Sequence, residues 1–197
     1  MKVFIDLGTY NGNVMKIACK KFKDFDLFIG FEPMPDLYKE VKKRFAKRSK
    51  VKIYDKAVGI KNEKSKLYVH WAFKGGRKFI GKGSTLLSGK TSGGLNEDVY
   101  VMVDVIDFAE YLSTNYTKDD YIVVKMDIEG EEYDLLKHLI DTGAIQYIDE
   151  LYCEWHYHKM SASDITKERH DETVNKLNEM GFKLTGDNMK DEFSKRF

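Results

Sequence analysis

Short apolar runs along this chain end, again and again, in a carboxylate. Val3-Phe4-Ile5 meets Asp6, Leu27-Phe28-Ile29-Gly30-Phe31 meets Glu32, and Val51-Lys52-Ile53-Tyr54 meets Asp55. Tyr121-Ile122-Val123-Val124-Lys125-Met126 meets Asp127, and the run 148–155 carries Glu154 near its end, with His156 directly after it. Aspartate and glutamate are rarely buried unless paired, so packing in a core does not account for this placement. If the runs are strands of an open α/β sheet, their carboxyl ends are where ligands bind. Acids gathered there can accept hydrogen bonds from ligand hydroxyls, take a proton, or hold a hard cation.

The first turn narrows the ligand. A dinucleotide or P-loop protein would show G-x-G-x-x-G or G-x-x-x-x-G-K-S/T. Here the pattern is Asp6-x-Gly8-x-x-x-Gly12 with no lysine after it. Gly8 is expected to let the backbone approach a ligand, Gly12 to give room where a helix begins, and the helix amides to face a negative group such as a carboxylate. Glu32 follows Gly12 by 20 residues, the place of an acid that binds paired ribose hydroxyls. A ribose acid without a pyrophosphate cradle suits S-adenosylmethionine better than NAD.

The elements that must position these residues alternate. Val14, Ile17, Ala18 and Phe22 recur at helical spacing after the first run; Pro35 and Asp36 open a helix whose Leu37, Val41 and Phe45 share a face. Strand-helix alternation implies right-handed crossovers and a mostly parallel sheet with helices on both faces, an α/β Rossmann-like fold. The pattern changes over Leu67-Tyr68-Val69-His70-Trp71 and Val99-Tyr100-Val101-Met102-Val103, which read as half-exposed strands. Between them, residues 74–94 hold seven of the fifteen glycines, too long for an ordinary connection; they are expected to form a lid that orders over a ligand. A helix over 106–116, a helix stripe of Leu135, Leu136, Leu139 and Ile140, a helix over 164–180 and a short strand from Phe182 complete the reading. No linker or repeat divides the chain, so residues 1–197 read as one domain.

Composition excludes several classes. With 42% hydrophobic and 13% aromatic residues the 197-residue chain can bury a core and is not disordered. Its aliphatic runs are too short for a membrane span, and Asp6 comes too early for a signal-peptide core. Two cysteines, Cys19 and Cys153, exclude a disulfide scaffold or four-thiolate zinc site and fit a reducing cytoplasm. Net charge is +1, yet residues 16–66 carry 16 Lys/Arg against 7 Asp/Glu, while 67–197 carry 16 against 24. Lys39, Lys42, Lys43, Arg44, Lys47 and Arg48 read as the wet face of one helix, and the near-neutral balance disfavours a nucleic-acid enzyme.

The second half is more specific. Val123-Val124-Lys125-Met126-Asp127-Ile128-Glu129-Gly130-Glu131-Glu132 resembles the K-x-D-x-E-G-x-E block of the FkbM-type methyltransferases. Phe31-Glu32-Pro33-Met34-Pro35, Lys56-Ala57-Val58-Gly59 and Gly83-Ser84-Thr85-Leu86 are similar to further blocks, in the family's order. The resemblance implies S-adenosylmethionine on a Rossmann-like sheet and a hydroxyl acceptor on a sugar or natural product. It implies that Asp6 and the turn Gly8, Thr9, Asn11 and Gly12 hold the methionine part, and that Glu32 and Pro33 hold the ribose. Asp55, Lys56 and Ala57 would border the adenine, Ser84 and Thr85 would close near the cofactor, and Asp127 would lie beside the methyl group. The chain starts at the first strand and lacks a clear final strand pair, which suggests a domain of a longer protein with neighbouring parts that select substrate.

Methyl transfer to a hydroxyl needs the acceptor aligned and its proton managed. Two mechanisms fit Asp127, Glu154 and His156: His156 as general base oriented by a carboxylate, or Asp127 and Glu154, with His156 as a further donor, holding Mg or Mn. Glu129 and Glu131 read most simply as favourable charge in the first turn of a helix; His70, His138 and His170 read as structural. Tyr152, Trp155, Tyr157, Trp71 and Phe73 offer a stacking surface for a sugar ring. The resulting expectation is an S-adenosylmethionine-dependent O-methyltransferase of a carbohydrate or glycosylated acceptor. Methylation of another small natural product, or an inactive cofactor-binding module, are the alternatives.

Overall fold

The computed structural model describes residues 1–74, 77–80, 83–88, 90, 95–159 and 165–182. The chain opens β1 (Lys2–Leu7), α1 (Asn13–Lys21), β2 (Leu27–Phe31), α2 (Pro35–Phe45) and β3 (Val51–Tyr54). Four short strands follow, β4 (Lys56–Gly59), β5 (Glu63–Tyr68), β6 (Trp71–Lys74) and β7 (Arg77–Ile80). Then come β8 (Tyr100–Asp107), α3 (Phe108–Asn115), β9 (Tyr121–Met126), α4 (Glu132–Asp141), β10 (Glu150–Cys153) and α5 (Lys167–Glu179).

The central sheet has the order β10-β9-β1-β2-β3 and every pairing in it is parallel. The chain winds outward from β1 to β3 on one side, then returns to place β9 on the other. The switch point therefore lies between β1 and β9, where an open α/β sheet binds its ligand. Side-chain alternation divides the core into two layers. Val3, Ile5, Leu7, Ile122, Val124 and Met126 face Phe108, Leu112, Leu135 and Leu139 of α3 and α4. Phe4, Phe28 and Val123 face Met15, Ala18, Val41 and Phe45 of α1 and α2. Burial on both faces explains why these strands read as continuous apolar runs rather than alternating ones. The fold is a mixed α/β one with a largely parallel, helix-flanked sheet.

Helix starts follow local chemistry. Pro35 opens α2, with Asp36 in the first turn and Lys42, Lys43 and Arg44 in the last, each complementing the helix dipole. Asp107 caps α3 by accepting from the amides of Ala109 and Glu110. That cap moves the boundary: the helix expected over 106–116 begins at Phe108, because β8 runs on through Asp107 beside β4. Thr166 likewise caps α5 and sets its start, accepting from the Arg169 amide at 3.2 Å.

A second sheet, β4-β8-β5, packs Ala57, Leu67, Val69, Val103 and Val105 against Met34. The strand expected over 67–71 is divided, since β5 ends at Tyr68 and β6 begins at Trp71. Nor are residues 74–94 one open loop. β7 pairs antiparallel with β6, and Thr85 bridges to Tyr68 through two backbone hydrogen bonds of 2.8 and 3.1 Å. A Gly-Gly pair between two β-prone runs is a hairpin signal, and the glycine count outweighed it. The remainder of that segment, and the strand expected beyond Phe182, lie outside the described residues. Among the described residues no helix is long and apolar enough to cross a membrane.

Candidate active site

The middle of the site is a pair of charges inside the sheet. Asp6 and Lys125 are register partners on β1 and β9, both fully enclosed on the α1/α2 face. Lys125 Nζ stands 2.9 Å from Asp6 Oδ1 and donates to the carbonyls of Leu7 (3.2 Å) and Gly8 (2.8 Å); Asp127 Oδ2 is 3.6 Å away. Burial raises the Asp6 pKa, against the pull of Lys125. Burial also works against the Lys125 charge, but Asp6 and Asp127 outweigh it and hold the ammonium above its usual range. The ammonium thus ties the end of β1 to the end of β9. Asp6 lies beneath the turn rather than in its cleft.

Above this pair the turn after β1 is crowded. Gly8 has φ +79°, and a Cβ there would stand 2.0 Å from the Asp127 carbonyl oxygen. Its glycine is required by the approach of β9 as well as by backbone handedness, whereas the sequence suggested room for a ligand. Gly12 (φ +75°) leaves space for the Phe45 ring, 2.7 Å from the absent Cβ, and so sets the packing of α1 on α2. The turn's amides are largely engaged within the protein. Those of Gly8 and Thr9 reach the Phe31 carbonyl, that of Gly12 reaches Thr9, and that of Asn13 reaches Asn11 Oδ1.

The Tyr10 amide has a more telling partner. It donates to Glu32 Oε2 at 2.6 Å, while the Met34 amide donates to Glu32 Oε1 at 3.0 Å. Two backbone groups therefore fix this carboxylate at the end of β2. Burial pushes its pKa up to about 7, with the two amides pulling the other way. Glu32 lines a cleft of about 370 Å³ between the β1 turn, the start of α2, β4 and segment 83–86. That volume suits a small ligand. Gly8, Thr9, Asn11, Pro33, Lys56, Ala57, Ser84 and Thr85 border the same cleft; Asp55 does not and is exposed. Met34, Leu37, Ala57 and Leu67 give one end an apolar lining.

Asp127 and Glu129 also line the cleft, with His156 packed behind them. His156 is 0% exposed and does not line the cleft. Its Nδ1 contacts Glu132 Oε1 at 2.8 Å. Its Nε2 makes no hydrogen bond among the described residues and faces Glu129 Oε2, Asp127 Oδ1 and Glu154 Oε1 at 3.6, 3.7 and 3.8 Å. Burial pulls the imidazole pKa down, but Glu132, Glu129 and Asp127 more than offset it and leave it above the ordinary histidine value. Ligand atoms of Asp127, Glu129 and His156 all lie within 4.8 Å of one another. Asp127 and His156 are thus brought together, with Glu154 beside them; Glu154 reaches the histidine from the turn after β10.

Glu132 organises this corner. Fully buried, it accepts from the amides of Ile128 (3.0 Å) and Gly130 (2.9 Å) as well as meeting His156. Glu129 between them adopts φ +57°, a left-handed conformation that costs a non-glycine residue roughly 1–2 kcal/mol. Its carboxylate is surrounded by Lys90 at 2.7 Å, Lys159 at 3.6 Å and His156. Burial would raise its pKa, yet these cations lower it. Lys125, Glu132 and Lys90 were not singled out from sequence. The first two are the outer letters of the K-x-D-x-E-G-x-E block; nothing local marks the third.

Among the described residues, Tyr152, Trp155 and Tyr157 do not form the aromatic surface expected for a sugar ring. Trp155 is buried against Tyr133 and His170, Tyr152 belongs to the core under α1, and Tyr157 stacks on His170 at 4.4 Å. Their apolar bodies serve packing; the side chains of Trp71 and Phe73 lie outside the described residues. His138 pairs with Asp107 and His170 with the Tyr133 hydroxyl, as structural histidines would.

Residues 6–184 match the family described as the Methyltransferase FkbM domain. Among solved structures, one described as methyltransferase FkbM from Methylobacillus flagellatus KT is similar at 14% identity, with a TM-score of 0.44. The likeness covers 74% of this chain and 31% of that one, so the chain spans about a third of that protein's length. No curated protein matches the chain.

Proposed function

The chain belongs to the FkbM methyltransferase family, and from that membership we propose that it transfers a methyl group from S-adenosylmethionine to a hydroxyl of a sugar or glycan. Residues 1–197 would act as one methyltransferase domain, in the cytoplasm that its two free cysteines suit. The observation that carries the reading is the placement of Glu32. It is a carboxylate fixed by two amides in a cleft that Asp127 and Glu129 also line. When bound, S-adenosylmethionine supplies an electrophilic methyl carbon.

The protein's part is alignment and proton handling. Glu32 is set to accept from paired ribose hydroxyls, and the apolar end at Met34, Leu37 and Ala57 suits an adenine ring. Asp127, which borders the cleft, is the group placed to accept a proton from the acceptor hydroxyl. His156 stands behind it, oriented through Nδ1 by Glu132, with Nε2 3.7 Å from Asp127 Oδ1, so that closing this gap would let it take the proton on. Because the carboxylates raise the imidazole pKa, the rate should climb with pH through a value above 6.5.

A second reading, a divalent cation, is favoured by the convergence of Asp127, Glu129 and His156 Nε2. Glu154 lies at its edge rather than at its centre. An imidazole among the donors suits manganese better than magnesium, which takes oxygen ligands.

The test pairs binding with transfer. S-adenosylmethionine and S-adenosylhomocysteine should raise the melting temperature and NAD should not; the reverse pattern would sink the assignment. Labelled cofactor should then mark a member of a glycan panel. Label on a non-sugar natural product alone would shift the acceptor class, and binding without transfer to any acceptor would favour the inactive module. A chelator that abolishes transfer, with manganese restoring it, would favour the cation over the Asp127–His156 route.

A further inference from the structure

Thr85 and Lys90 hold Glu129 by its backbone and by its side chain. Thr85 Oγ1 donates to the Glu129 backbone carbonyl at 2.9 Å, and Lys90 Nζ donates to Glu129 Oε2 at 2.7 Å. The Lys90 side chain is only 2% exposed, and its ammonium also donates to the Gly83 carbonyl at 2.8 Å. Gly83 has φ +104°, and a Cβ there would press to 3.2 Å from that nitrogen, so glycine keeps the ammonium's place open. A lysine this enclosed is tolerated only beside a charge that compensates it.

The oxygen Lys90 holds is the one that faces His156 Nε2 at 3.6 Å. It is therefore also the Glu129 oxygen a divalent ion shared with His156 would need. An ammonium at 2.7 Å and a dication cannot both occupy that face of one carboxylate oxygen. Gly83, Ser84 and Thr85 meanwhile line the cleft beside Glu32 and Gly8.

We propose that Lys90 is a positioning residue and the resident cation of the Asp127–Glu129–His156 cluster. It holds Glu129 Oε2 beside His156 Nε2 and keeps a divalent ion off that oxygen. The inference rests on reading this corner as the acceptor end of the methyltransferase site, but its chemistry is testable without an acceptor.

The test titrates manganese(II) into the whole chain, read by calorimetry and by the loss of the free-ion paramagnetic resonance signal. Lys90→Met should bind manganese at least about tenfold more tightly than the unaltered protein, since loss of one ammonium frees a carboxylate oxygen for a hard cation. Lys90→Arg, which keeps the charge, should behave like the unaltered protein. Lys90→Met combined with Glu129→Gln should lose the gain. A general loosening of structure would not strengthen metal binding, so the direction separates positioning from packing. Equal affinities in the unaltered protein and Lys90→Met, or a gain that survives Glu129→Gln, overturns the proposal. If Lys90→Met does not fold, Lys90→Gln carries the same expectation. S-adenosylhomocysteine is titrated in parallel: failure of the unaltered protein to bind it counts against the methyltransferase reading, and leaves the manganese comparison standing on its own.

Discussion

Two buried lysines meet acids in this site, and they are held in opposite ways. Lys125 sits on β9 in register with Asp6, inside a ladder of parallel strands and beneath two helices. Lys90 follows residues tied to the fold by one bridge at Tyr68, a few side-chain bonds and the partly buried Leu86 and Leu87 rather than by a strand ladder. Both ammonium groups accept the same desolvation and both are matched by a carboxylate. The difference teaches that one half of the site is part of the folded core, while the other half is assembled on it. The half beside Asp6 should fail only with the whole protein. The half beside Glu129 should fail locally.

The sharpest way to break that contrast is to remove each lysine. Lys125→Met should cost about 3–5 kcal/mol in urea unfolding, the range for leaving one member of a buried pair uncompensated. Lys90→Met should cost well under half of that, and equal losses would erase the distinction. Gly8→Ala comes next, at about 3 kcal/mol, because left-handed backbone and a collision with the Asp127 carbonyl coincide. Gly143→Ala is its control, since φ is +74° there but nothing lies within 4 Å. Only about 1 kcal/mol of backbone cost should appear in its thermal unfolding.

Glu132→Gln should cost about 1.5–3 kcal/mol, the range for bonds to a charged group. It should also speed hydrogen exchange at the amides of Ile128 and Gly130, whose acceptor it weakens. Unchanged exchange there would mean that the loop is shaped without it.

The smallest effect is a pH dependence. The Glu32 pKa is raised to about 7 in the folded protein, so the carboxylate form that would accept ribose hydroxyls is depleted below that pH. S-adenosylhomocysteine affinity should rise with pH and level off above about 7, falling up to about tenfold per unit below it. Stability should move the other way. Between the ordinary carboxylate value of 4.5 and 7 the native state binds the extra proton, so stability declines as pH rises. Glu131, raised to about 7 as well, titrates in the same window. Glu32→Gln isolates the relevant group by flattening the affinity profile, and a profile unchanged in that variant would detach Glu32 from the ligand.

The contrast between the halves also marks where sequence reading stops. The central strands were legible because two-faced burial writes continuous apolar runs, and the position of Glu32 just past β2 was legible with them. The glycine at position 8 was noticed for the wrong reason: the atom that demands it belongs to Asp127, which is remote in sequence and invisible to spacing. Lys90 escaped for the same cause, since its partner is 39 residues away. Glu132 showed only as the last letter of the K-x-D-x-E-G-x-E block, since the histidine it meets is 24 residues away. The aromatics after β10 were read as a platform because their type, and not their side of the backbone, is what a sequence displays.

The contact between Gly8 and the Asp127 carbonyl carries one more consequence. It is backbone meeting backbone, with a hydrogen bond of 3.1 Å from the Asp127 amide to the Leu7 carbonyl beside it. No side chain intervenes whose length could be altered by a single substitution. The spacing between the strand that ends in the Gly8 turn and the strand that ends in Asp127 is therefore a fixed gauge. Surrounding loops can be exchanged without resetting that gauge. A fold built this way can diversify around its cleft while keeping these two strand ends at one separation.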